Sequence, residues 1–495
     1  MEDDHFEPVR PGLLRAPSTK LGKSEWADIA AELEPRLLRL QFEHRESDFP
    51  LIVVLSGEDR PGAGELLARL GNWLDPRHIA VHALGTATDE EREQPPLWRF
   101  WRTLPAKGEF AVFVGAWTAQ AIVSSARGVE RPDFESQLAQ IAATERAWVE
   151  NGALLLKYWL DLPAKKLRQR LDEAHEQQFA RFDDMDWGLA TDFERTNKLA
   201  ALALERTGTE CAPWRVVESQ NRRNRDALIL RSIADELERR LAQRPTRPVQ
   251  VVAPPVADAP TRPDPVPSGA VDDKEYSEEL SELQSQLDEC TRRAMLQGLS
   301  AVVVFEGWDA AGKGGAIRRV TAALDPLCYK VTQIGAPKEV ELAHHYLWRF
   351  WTRLGRPGRL CIFDRSWYGR VLVERVEGFA QKDDWQRAYA ELVDFEEQLV
   401  ETGHLVHKFW LEIDPKTQLD RFHDREKDPL KRYKITEDDY RNRSKWPLYA
   451  EAADEMLQRT HRARAPWQVV PAVCKESARL TVLRALVARY EKALG

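Results

Sequence analysis

Residues 302–315 contain a pattern that binds phosphate in many proteins. A run of β-branched and aromatic residues leads to Gly307, and Gly312 and Lys313 follow after four further positions. In this G-x-x-x-x-G-K pattern, backbone amides surround phosphate oxygens and the lysine adds a positive charge. A glycine-rich turn is the simpler alternative, but the strand before the loop and the helical pattern at 316–324 favour phosphate binding. We predict that Lys313 is catalytic and that the loop binds phosphate through Gly307, Ala310, Ala311, Gly312 and Gly314.

The metal ligand that usually follows the lysine is missing from this loop. Most such loops have a serine or threonine hydroxyl there that binds Mg²⁺, but Gly314 takes its place. Asp309, inside the loop, is the obvious replacement. A second carboxylate, Asp364, follows the apolar run 360–363, which is the form of a Walker-B element that helps to hold Mg²⁺. Asp309 and Asp364 are therefore the predicted metal ligands and are also predicted to be catalytic.

Two arginines follow Asp364 closely in the sequence. Arg365 and Arg370 could each bind phosphate oxygens through two parallel hydrogen bonds, and we predict that both are catalytic. Glu374 lies four residues beyond Arg370 and would share its helical face. Two interpretations of Glu374 stay open: a place in the nucleotide site, or an ordinary ion pair with Arg370.

A group of basic residues follows the strand predicted at 405–413. Such a segment could form a mobile lid that covers phosphates and excludes water. A solvated helix face is the alternative. Aromatic residues are interleaved with the basic ones at Phe422, Tyr433 and Trp446. The basic residues predicted to bind phosphate are Arg421, Arg425, Lys431 and Lys434.

The chain contains two copies of one pattern. Gly57 corresponds to Gly307, which gives a spacing of 250 residues (307 minus 57), and the Trp-Arg-Phe-Trp sequence at 98–101 recurs at Trp348–Trp351 with the same spacing. Between the copies lies a segment rich in proline, which is typical of an extended linker. We predict an N-terminal domain at 1–243, a linker at 244–271 and a C-terminal domain at 272–495.

Each copy alternates helical and strand patterns. An amphipathic helix comes first, with Leu33, Leu37 and Leu40 at helical spacing in the first copy. Short apolar runs then recur at strand length. The predicted strands lie at Ile79–Ala83, Phe110–Val114 and 153–160, and in the second copy at 330–334, 359–363 and 405–413. Such alternation predicts an α/β fold with parallel sheets covered on both faces. The Trp-rich helix is predicted to be core.

The first copy lacks the charged residues of the second. Ala63 stands opposite Lys313, Val114 opposite Asp364, Gly115 opposite Arg365 and Gln120 opposite Arg370. Basic residues are also fewer at 170–187, the counterpart of the predicted lid. Because phosphoryl transfer depends on these charges, we predict that the first copy is inactive, and a different catalytic set is the alternative.

Composition limits the class of protein. The 495 residues include 43% hydrophobic and 31% charged residues, with a net charge of −8, which does not favour a nucleic-acid-coating protein. No apolar run reaches the roughly 20 residues of a membrane span. Five cysteines without C-x-x-C spacing favour a reducing, cytoplasmic compartment. We expect no nucleic-acid or membrane partner, and homo-oligomerisation stays open.

Three motifs, in order, resemble those of the second, P-loop family of polyphosphate kinases. They are residues 307–315, residues 364–370 and residues 431–434 before Asp438 and Asp439. That family commonly has an aspartate in the loop and a glycine after the lysine, so the missing hydroxyl is a family trait. The resemblance covers both copies, and the arrangement resembles the fused subgroup. It implies a fold similar to thymidylate kinase: two tandem three-layer α/β/α P-loop kinase-like domains with a helical lid.

The resemblance also implies an activity. In that subgroup the C-terminal domain transfers the terminal phosphoryl group of inorganic polyphosphate to AMP and gives ADP, with Mg²⁺. Lys313 and the loop would hold phosphate, Asp309 and Asp364 would position Mg²⁺, and Arg365, Arg370 and the lid would hold the acceptor and the polyphosphate end. The alternatives are a polyphosphate kinase acting on ADP or GDP, an ATP-dependent nucleoside monophosphate kinase, and a non-catalytic polyphosphate-binding protein.

Overall fold

The computed structural model of the chain describes residues 5–85, 87–128, 133–169, 193–243, 253–264, 266 and 269–495. Their contacts form two compact units, one from each half of the chain. Lys338–Trp348 is grouped with the first unit and Glu93–Pro95 with the second. The basic-poor segment at 170–187 lies outside the described residues, as does much of the predicted linker. Within the described part, no helix has the length and apolarity needed to cross a bilayer.

The first half of the chain contains strands β1 to β7. They are β1 (Glu7–Arg10), β2 (Leu13–Arg15), β3 (Leu51–Gly57), β4 (Ile79–Ala83), β5 (Phe110–Val114), β6 (Leu154–Asp161) and β7 (Trp214–Glu218). The helices with defined bounds are α1 (Lys23–His44), α2 (Arg60–Trp73), α3 (Asp89–Arg92), α4 (Trp98–Arg102), α5 (Trp117–Ala126), α6 (Phe134–Glu150), α7 (Phe193–Thr207) and α8 (Arg222–Ala242).

The second half repeats this order. Its strands are β8 (Ala301–Gly307), β9 (Tyr329–Gln333), β10 (Leu360–Asp364), β11 (Leu405–Glu412) and β12 (Trp467–Pro471). Its helices are α9 (Asp273–Leu296), α10 (Lys313–Thr321), α11 (Glu339–Leu342), α12 (Trp348–Trp351), α13 (Val373–Val376), α14 (Lys382–Glu401), α15 (Pro415–Lys427), α16 (Glu437–Ser444), α17 (Trp446–Thr460) and α18 (Lys475–Leu494).

The five strands of the second sheet have the same order as their counterparts in the first sheet, which has two further strands at one edge. The first runs β1-β2-β7-β6-β3-β5-β4, and the second runs β12-β11-β8-β10-β9. Every neighbouring pair is parallel except β1 and β2, which pair antiparallel. The α/β fold with parallel sheets is confirmed. The edge hairpin β1–β2 was not predicted, because its strands are three and four residues long and mostly exposed.

Apolar side chains cover both faces of each sheet. In the first unit, Leu51, Val53 and Leu55 of β3 join one core cluster with residues of α1, α2 and α8. The alternate side chains Ile52 and Val54 point to the opposite face and are also fully buried. This two-sided burial produces the three-layer arrangement. Leu33, Leu37 and Leu40 are buried as predicted, and the Trp-rich helices are core, with Trp101 and Trp351 at most 2% exposed.

The topology places the phosphate-loop motif at the middle of the second sheet. β8 lies between β11 and β10, with Gly307 in register with Leu411 and Asp364 in register with Phe305. The carboxyl ends of these parallel strands therefore meet at one edge of the sheet, which is where ligands bind in open α/β folds.

Candidate active site

The loop after β8 has a backbone that depends on glycine at its start. Gly307 has a φ of +139°, and a Cβ there would lie 2.5 Å from the carbonyl oxygen of Leu411. Gly312 has a φ of +114° and precedes α10, which begins at Lys313. The positive end of the α10 dipole is thus directed to the space enclosed by the loop, as phosphate binding requires.

Lys313 folds back across this loop. Its Nζ donates hydrogen bonds to the carbonyl oxygens of Gly307, at 2.6 Å, and Trp308, at 3.0 Å. Burial lowers the pKa of Lys313, and the nearby Asp309 carboxylate acts in the opposite direction. The lysine is therefore positioned by the loop before any phosphate arrives.

Asp309 is held from two sides. Its Oδ1 accepts from Nη2 of Arg365 at 2.9 Å, and its Oδ2 accepts from Nδ2 of Asn442 on α16 at 3.0 Å. Burial opposes ionisation, but the charges of Lys313 and Arg365 and the hydrogen bond from Asn442 outweigh it and lower the pKa of Asp309. The carboxylate is consequently ionised and fixed, with α16 of the predicted lid in direct contact with it.

Asp364 and Glu306 complete the acidic side of the site. Within the described residues, no hydrogen bond or ion pair engages the Asp364 carboxylate, so it is available to a metal ion. Glu306 is 5% exposed and accepts from the Ser366 hydroxyl at 2.8 Å. Burial raises the pKa of Glu306, while Lys313 acts against that rise.

Arg365 has a strained backbone. Its φ is +62°, in the left-handed region that L-residues other than glycine seldom adopt. The corresponding residue of the first copy is Gly115, whose φ is +59°. The turn after this strand therefore needs a left-handed residue in both copies, and only the second places a charged side chain there. Backbone strain of this kind is typical of functional positions.

We expect Arg365→Gly to lower activity without lowering the free energy of unfolding. Removing a left-handed arginine relieves about 1 kcal/mol of strain, and its half-exposed ion pair with Asp309 offsets no more than that amount. Denaturant unfolding should show equal or slightly higher stability. The kcat of the predicted phosphoryl transfer should fall about a hundredfold, because a guanidinium that donates hydrogen bonds to phosphate is lost. Gly115→Arg in the first copy is the matched control, and it should lower stability by about 1–2 kcal/mol without changing kcat. An Arg365→Gly variant with unchanged kcat would contradict this role.

Arg370 and Glu374 form an ion pair of 3.0 Å on two successive short helical segments. Both side chains are largely shielded from solvent, with 17% and 24% exposed. The ion-pair interpretation of Glu374 is thus the one that the contacts support. Arg370 stays a predicted phosphate ligand, now with a carboxylate that orients its guanidinium.

Arg421, predicted to be a lid residue, is buried against the phosphate loop. Its Nη1 donates to the carbonyl oxygens of Ala310 and Ala311, at 2.9 and 3.0 Å. Its Nη2 donates to those of Ala472 and Val473, at 2.7 and 2.9 Å. These four bonds hold the guanidinium against the loop and support a positioning role for Arg421, and its predicted contact with phosphate stays a prediction.

The remaining predicted lid residues lie farther along the same segment. Arg425 is half-buried one turn beyond Arg421 on α15. Lys431 is 59% exposed and pairs with Asp428 at 2.5 Å. Lys434 is the last residue of a short 3-10 helix, Arg432–Lys434, and its side chain is not among those that the structure describes. Arg425, Lys431 and Lys434 stay predictions as phosphate ligands.

Three residues of the site were missed from the sequence: Glu306, Gln418 and Asn442. Gln418 is 2% exposed and donates to the carbonyl oxygen of Asp309 at 3.1 Å. Glu306 carried a signal, since it is the one charged residue in the apolar strand 301–307. Asn442 carried none, because it lies in a helix crowded with charged residues.

The corresponding loop of the first copy has a different structure. The helix there begins at Arg60, three positions earlier than its counterpart α10, and is capped by Asp59, which accepts from the Gly62 amide at 3.1 Å. Asp59 is fully buried and pairs at 3.2 Å with the equally buried Arg225. A Cβ at Gly62 would lie 2.2 Å from the Arg225 guanidinium. An internal ion pair therefore fills the region that would otherwise hold phosphate.

A match to a family model adds to this geometry. The model described as Polyphosphate kinase 2 (PPK2) matches residues 20–245 and again residues 270–494. The chain belongs to the polyphosphate kinase 2 family. Both copies match the model, so the first loop, with its buried ion pair, lies within a region that matches the family, and the family predicted from the three motifs is confirmed.

Other members of the polyphosphate kinase 2 family resemble the whole chain. A protein of Pseudomonas aeruginosa named polyphosphate:AMP phosphotransferase is 42% identical, over 95% of this chain and 98% of its own length. One of the same name from Pseudomonas syringae pv. tomato is 41% identical, over 100% of this chain and 97% of its own. A crystal structure titled as a putative polyphosphate kinase 2 from Pseudomonas aeruginosa matches with a TM-score of 0.85 at 40% identity, covering 96% and 97% of the two chains.

Proposed function

We propose that this chain transfers the terminal phosphoryl group of inorganic polyphosphate to AMP and releases ADP. The similarity over the full length of relatives named for that reaction carries the proposal. The contacts around Lys313 support phosphoryl transfer but do not by themselves distinguish polyphosphate from another phosphate donor. Cytoplasmic location and homo-oligomerisation stay predictions.

The reaction needs little covalent help from the protein. An oxygen of the AMP phosphate attacks the terminal phosphorus of polyphosphate, the bond to the rest of the chain breaks, and the shortened polyphosphate leaves with the electron pair. No general base is needed because the nucleophile is already anionic. Lys313, the α10 N-terminus and Arg365 supply positive charge around the transferred group, and Arg421 and Gln418 hold the loop that presents them.

We propose Mg²⁺ as the metal, held by Asp364 and Asp309. No group of three or more His, Cys, Asp or Glu side chains suited to a metal occurs in the described part of the chain. Mg²⁺ needs only one or two carboxylates in such sites, since substrate phosphates and waters supply its other ligands. The unengaged Asp364 carboxylate fits this requirement. When bound, the ion would neutralise charge on the phosphate oxygens.

We propose that only the second copy is catalytic. In the first, the Asp59–Arg225 pair occupies the loop region, and neither a lysine nor a strand-end aspartate is present. We also propose domain boundaries at 1–243, 244–271 and 272–495, which the two separate matches to the family model, at 20–245 and 270–494, support.

A panel of donors and acceptors tests the proposed function. AMP and ADP are each incubated with long-chain polyphosphate and Mg²⁺, AMP is incubated separately with ATP, and the products are resolved by ion-exchange chromatography. We expect ADP from AMP and polyphosphate, and no product after chelation of the metal. ATP formed from ADP would favour the alternative acceptor, activity with ATP alone would favour a nucleoside monophosphate kinase, and no transfer would favour a polyphosphate-binding protein.

A further inference from the structure

Part of the segment that joins the two copies is docked on the second unit. The backbone amide of Val256 donates to the carbonyl oxygen of Gln458 at 2.8 Å, and Nη1 of Arg459 donates to that of Ala253 at 2.7 Å. Both partners lie on α17. Ala253 is only 5% exposed, so residues 253–264 are held against this helix and do not form a free tether.

Arg262 is the residue of this segment that reaches farthest toward the site. Its guanidinium makes two hydrogen bonds to Asp454, at 2.8 and 2.9 Å, and its Nη2 donates to the carbonyl oxygen of Ala450 at 3.2 Å. Its Nη1 donates to Oε1 of Glu412 at 3.2 Å. Only 13% of the side chain is exposed. A guanidinium group with this many hydrogen-bond partners has a fixed orientation.

Glu412 connects Arg262 to the phosphate loop. It ends β11, is 3% exposed, and its second oxygen accepts from the indole Nε1 of Trp308 at 3.0 Å and from that of Trp410. Trp308 follows Gly307 and precedes Asp309 in the loop. Its ring stacks on Trp446 with centroids 3.5 Å apart and an interplanar angle of 6°. The carboxylate thus holds the loop indole against the first residue of α17.

Among the residues of the first copy that the structure describes, no equivalent connection is found. Asp161 takes the place of Glu412, because Leu160 pairs with Gly57 as Leu411 pairs with Gly307. Asp161 contacts Arg15 through a single 3.3 Å pair, with 55% of the arginine and 40% of the aspartate exposed. Glu58 stands where Trp308 would be, so the loop of the first copy carries no indole at that position, and the indole of Trp159, the counterpart of Trp410, hydrogen-bonds Glu58. Within the described residues, the buried connection therefore occurs in the copy whose loop has the lysine and not in the other.

We propose that Arg262, in the segment between the copies, is a positioning residue for phosphoryl transfer, and that it acts through Glu412 and Trp308 on the phosphate loop. This inference rests on the proposed function, in which that loop binds the donor. Without Arg262, the buried Glu412 carboxylate would keep only the two indole donors and would be drawn toward solvent or another partner. Trp308 would follow it, and the loop beside Asp309 and Lys313 would lose its fixed position.

The test compares Arg262→Ala and Arg262→Lys with Arg459→Ala. Arg459 also binds the linker but does not contact Glu412, so its replacement is the matched control. The stacked Trp308–Trp446 pair should give an exciton couplet in the far-ultraviolet circular dichroism spectrum, and Trp446→Phe assigns that signal. Steady-state kinetics with AMP and polyphosphate are measured on the same full-length samples.

We expect Arg262→Ala to weaken the couplet and to lower kcat by roughly tenfold, with a smaller change in KM. Arg262→Lys keeps the charge but not the planar guanidinium, so its couplet and kcat should lie between those of Arg262→Ala and the wild type. Arg459→Ala should retain the wild-type couplet and kcat. Equal couplets and equal kcat values for Arg262→Ala and Arg459→Ala would overturn the proposal. So would a loss of kcat with an unchanged couplet, since the effect would then not pass through Trp308.

Two further outcomes are also decisive. If Arg262→Ala fails to fold, Arg262→Lys carries the comparison, and a wild-type couplet and kcat in that variant would overturn the proposal. If the wild-type chain transfers no phosphoryl group to AMP, the proposed function fails. The couplet is measured without substrate, so it still decides whether Arg262 positions Trp308.

Discussion

Lys313→Met is expected to lower kcat for ADP formation by roughly a thousandfold or more while leaving the fold intact. The Nζ group lies at the centre of the loop, bound to two of its carbonyl oxygens and beside Asp309. Methionine has a similar length and no charge, so the loop keeps its packing but loses the cation that faces the transferred group. Activity is measured by ADP release, and folding by thermal unfolding with circular dichroism.

Lys330→Met is the matched control for this variant. Lys330 is an exposed lysine on β9 of the same unit, and its Nζ contacts only the carbonyl oxygen of Arg353 among the described residues. Its replacement should leave kcat unchanged. Adding Ala63→Lys to the Lys313→Met variant should not restore turnover, because position 63 is 2% exposed and Val114 supplies no carboxylate. Restored turnover would show that the first copy retains a catalytic set.

Lys408→Met is expected to destabilise the second unit by about 3–5 kcal/mol. The Nζ of Lys408 is fully buried and donates to Glu396 at 2.5 Å, to the Tyr368 hydroxyl at 3.0 Å and to the carbonyl oxygen of Thr460 at 2.8 Å. Glu396 also accepts from the Trp367 indole at 3.0 Å. Removing the lysine leaves a buried carboxylate without a cation, and the free energy of unfolding in denaturant measures the loss.

A second substitution distinguishes the buried charge from lost packing. In Lys408→Met/Glu396→Gln, the amide oxygen still accepts from Trp367 and Tyr368, but no charge is left unpaired. We expect more than half of the lost stability to return. A single variant that loses less than about 1 kcal/mol would contradict this role of the buried ion pair, as would a double variant no more stable than the single variant.

The buried lysine–glutamate pair also occurs in the first copy. Lys157 donates to Glu145 at 2.6 Å and to the carbonyl oxygen of Thr207 at 2.7 Å, and Glu145 accepts from the Trp117 indole at 2.7 Å. The catalytic charges differ between the copies, whereas this pair does not. We therefore assign it to the fold, and Lys157→Met should destabilise the first unit by a similar amount.

The sheet architecture could be predicted because its signals are local and repeated. The apolar runs at Phe110–Val114 and 405–413 match strands β5 and β11 closely, and Leu33, Leu37 and Leu40 are buried on one face of α1 as their spacing indicated. Strands β7 and β12 were overlooked, although the Ala-Pro-Trp sequence that precedes each recurs in the two copies. Each has a tryptophan and two valines, but Arg215 or Gln468 separates them, so neither forms the continuous apolar segment that marked β5.

Side-chain roles that depend on distant partners could not be predicted. Arg421 has the composition signal of a lid residue, and only the fold shows that its partners are the carbonyl oxygens of Ala310 and Ala472. Arg262 lies in a proline-rich stretch, where composition predicts an extended linker but does not indicate which side chains of a domain surface it contacts. Its burial follows from Asp454 and Glu412, which are more than 100 residues away in the chain.

The buried Asp59–Arg225 pair makes the loss of the first loop hard to reverse by stepwise mutation. Replacing Arg225 alone would leave Asp59 buried without its cation, and introducing lysine at Ala63 alone would bury a further cation at a position that is 2% exposed. Each step costs several kcal/mol, which is a large part of the stability of a domain. A lineage would have to change several positions together to regain a working loop. If only the second copy is catalytic, as we propose, the buried pair keeps the two halves of the chain functionally distinct.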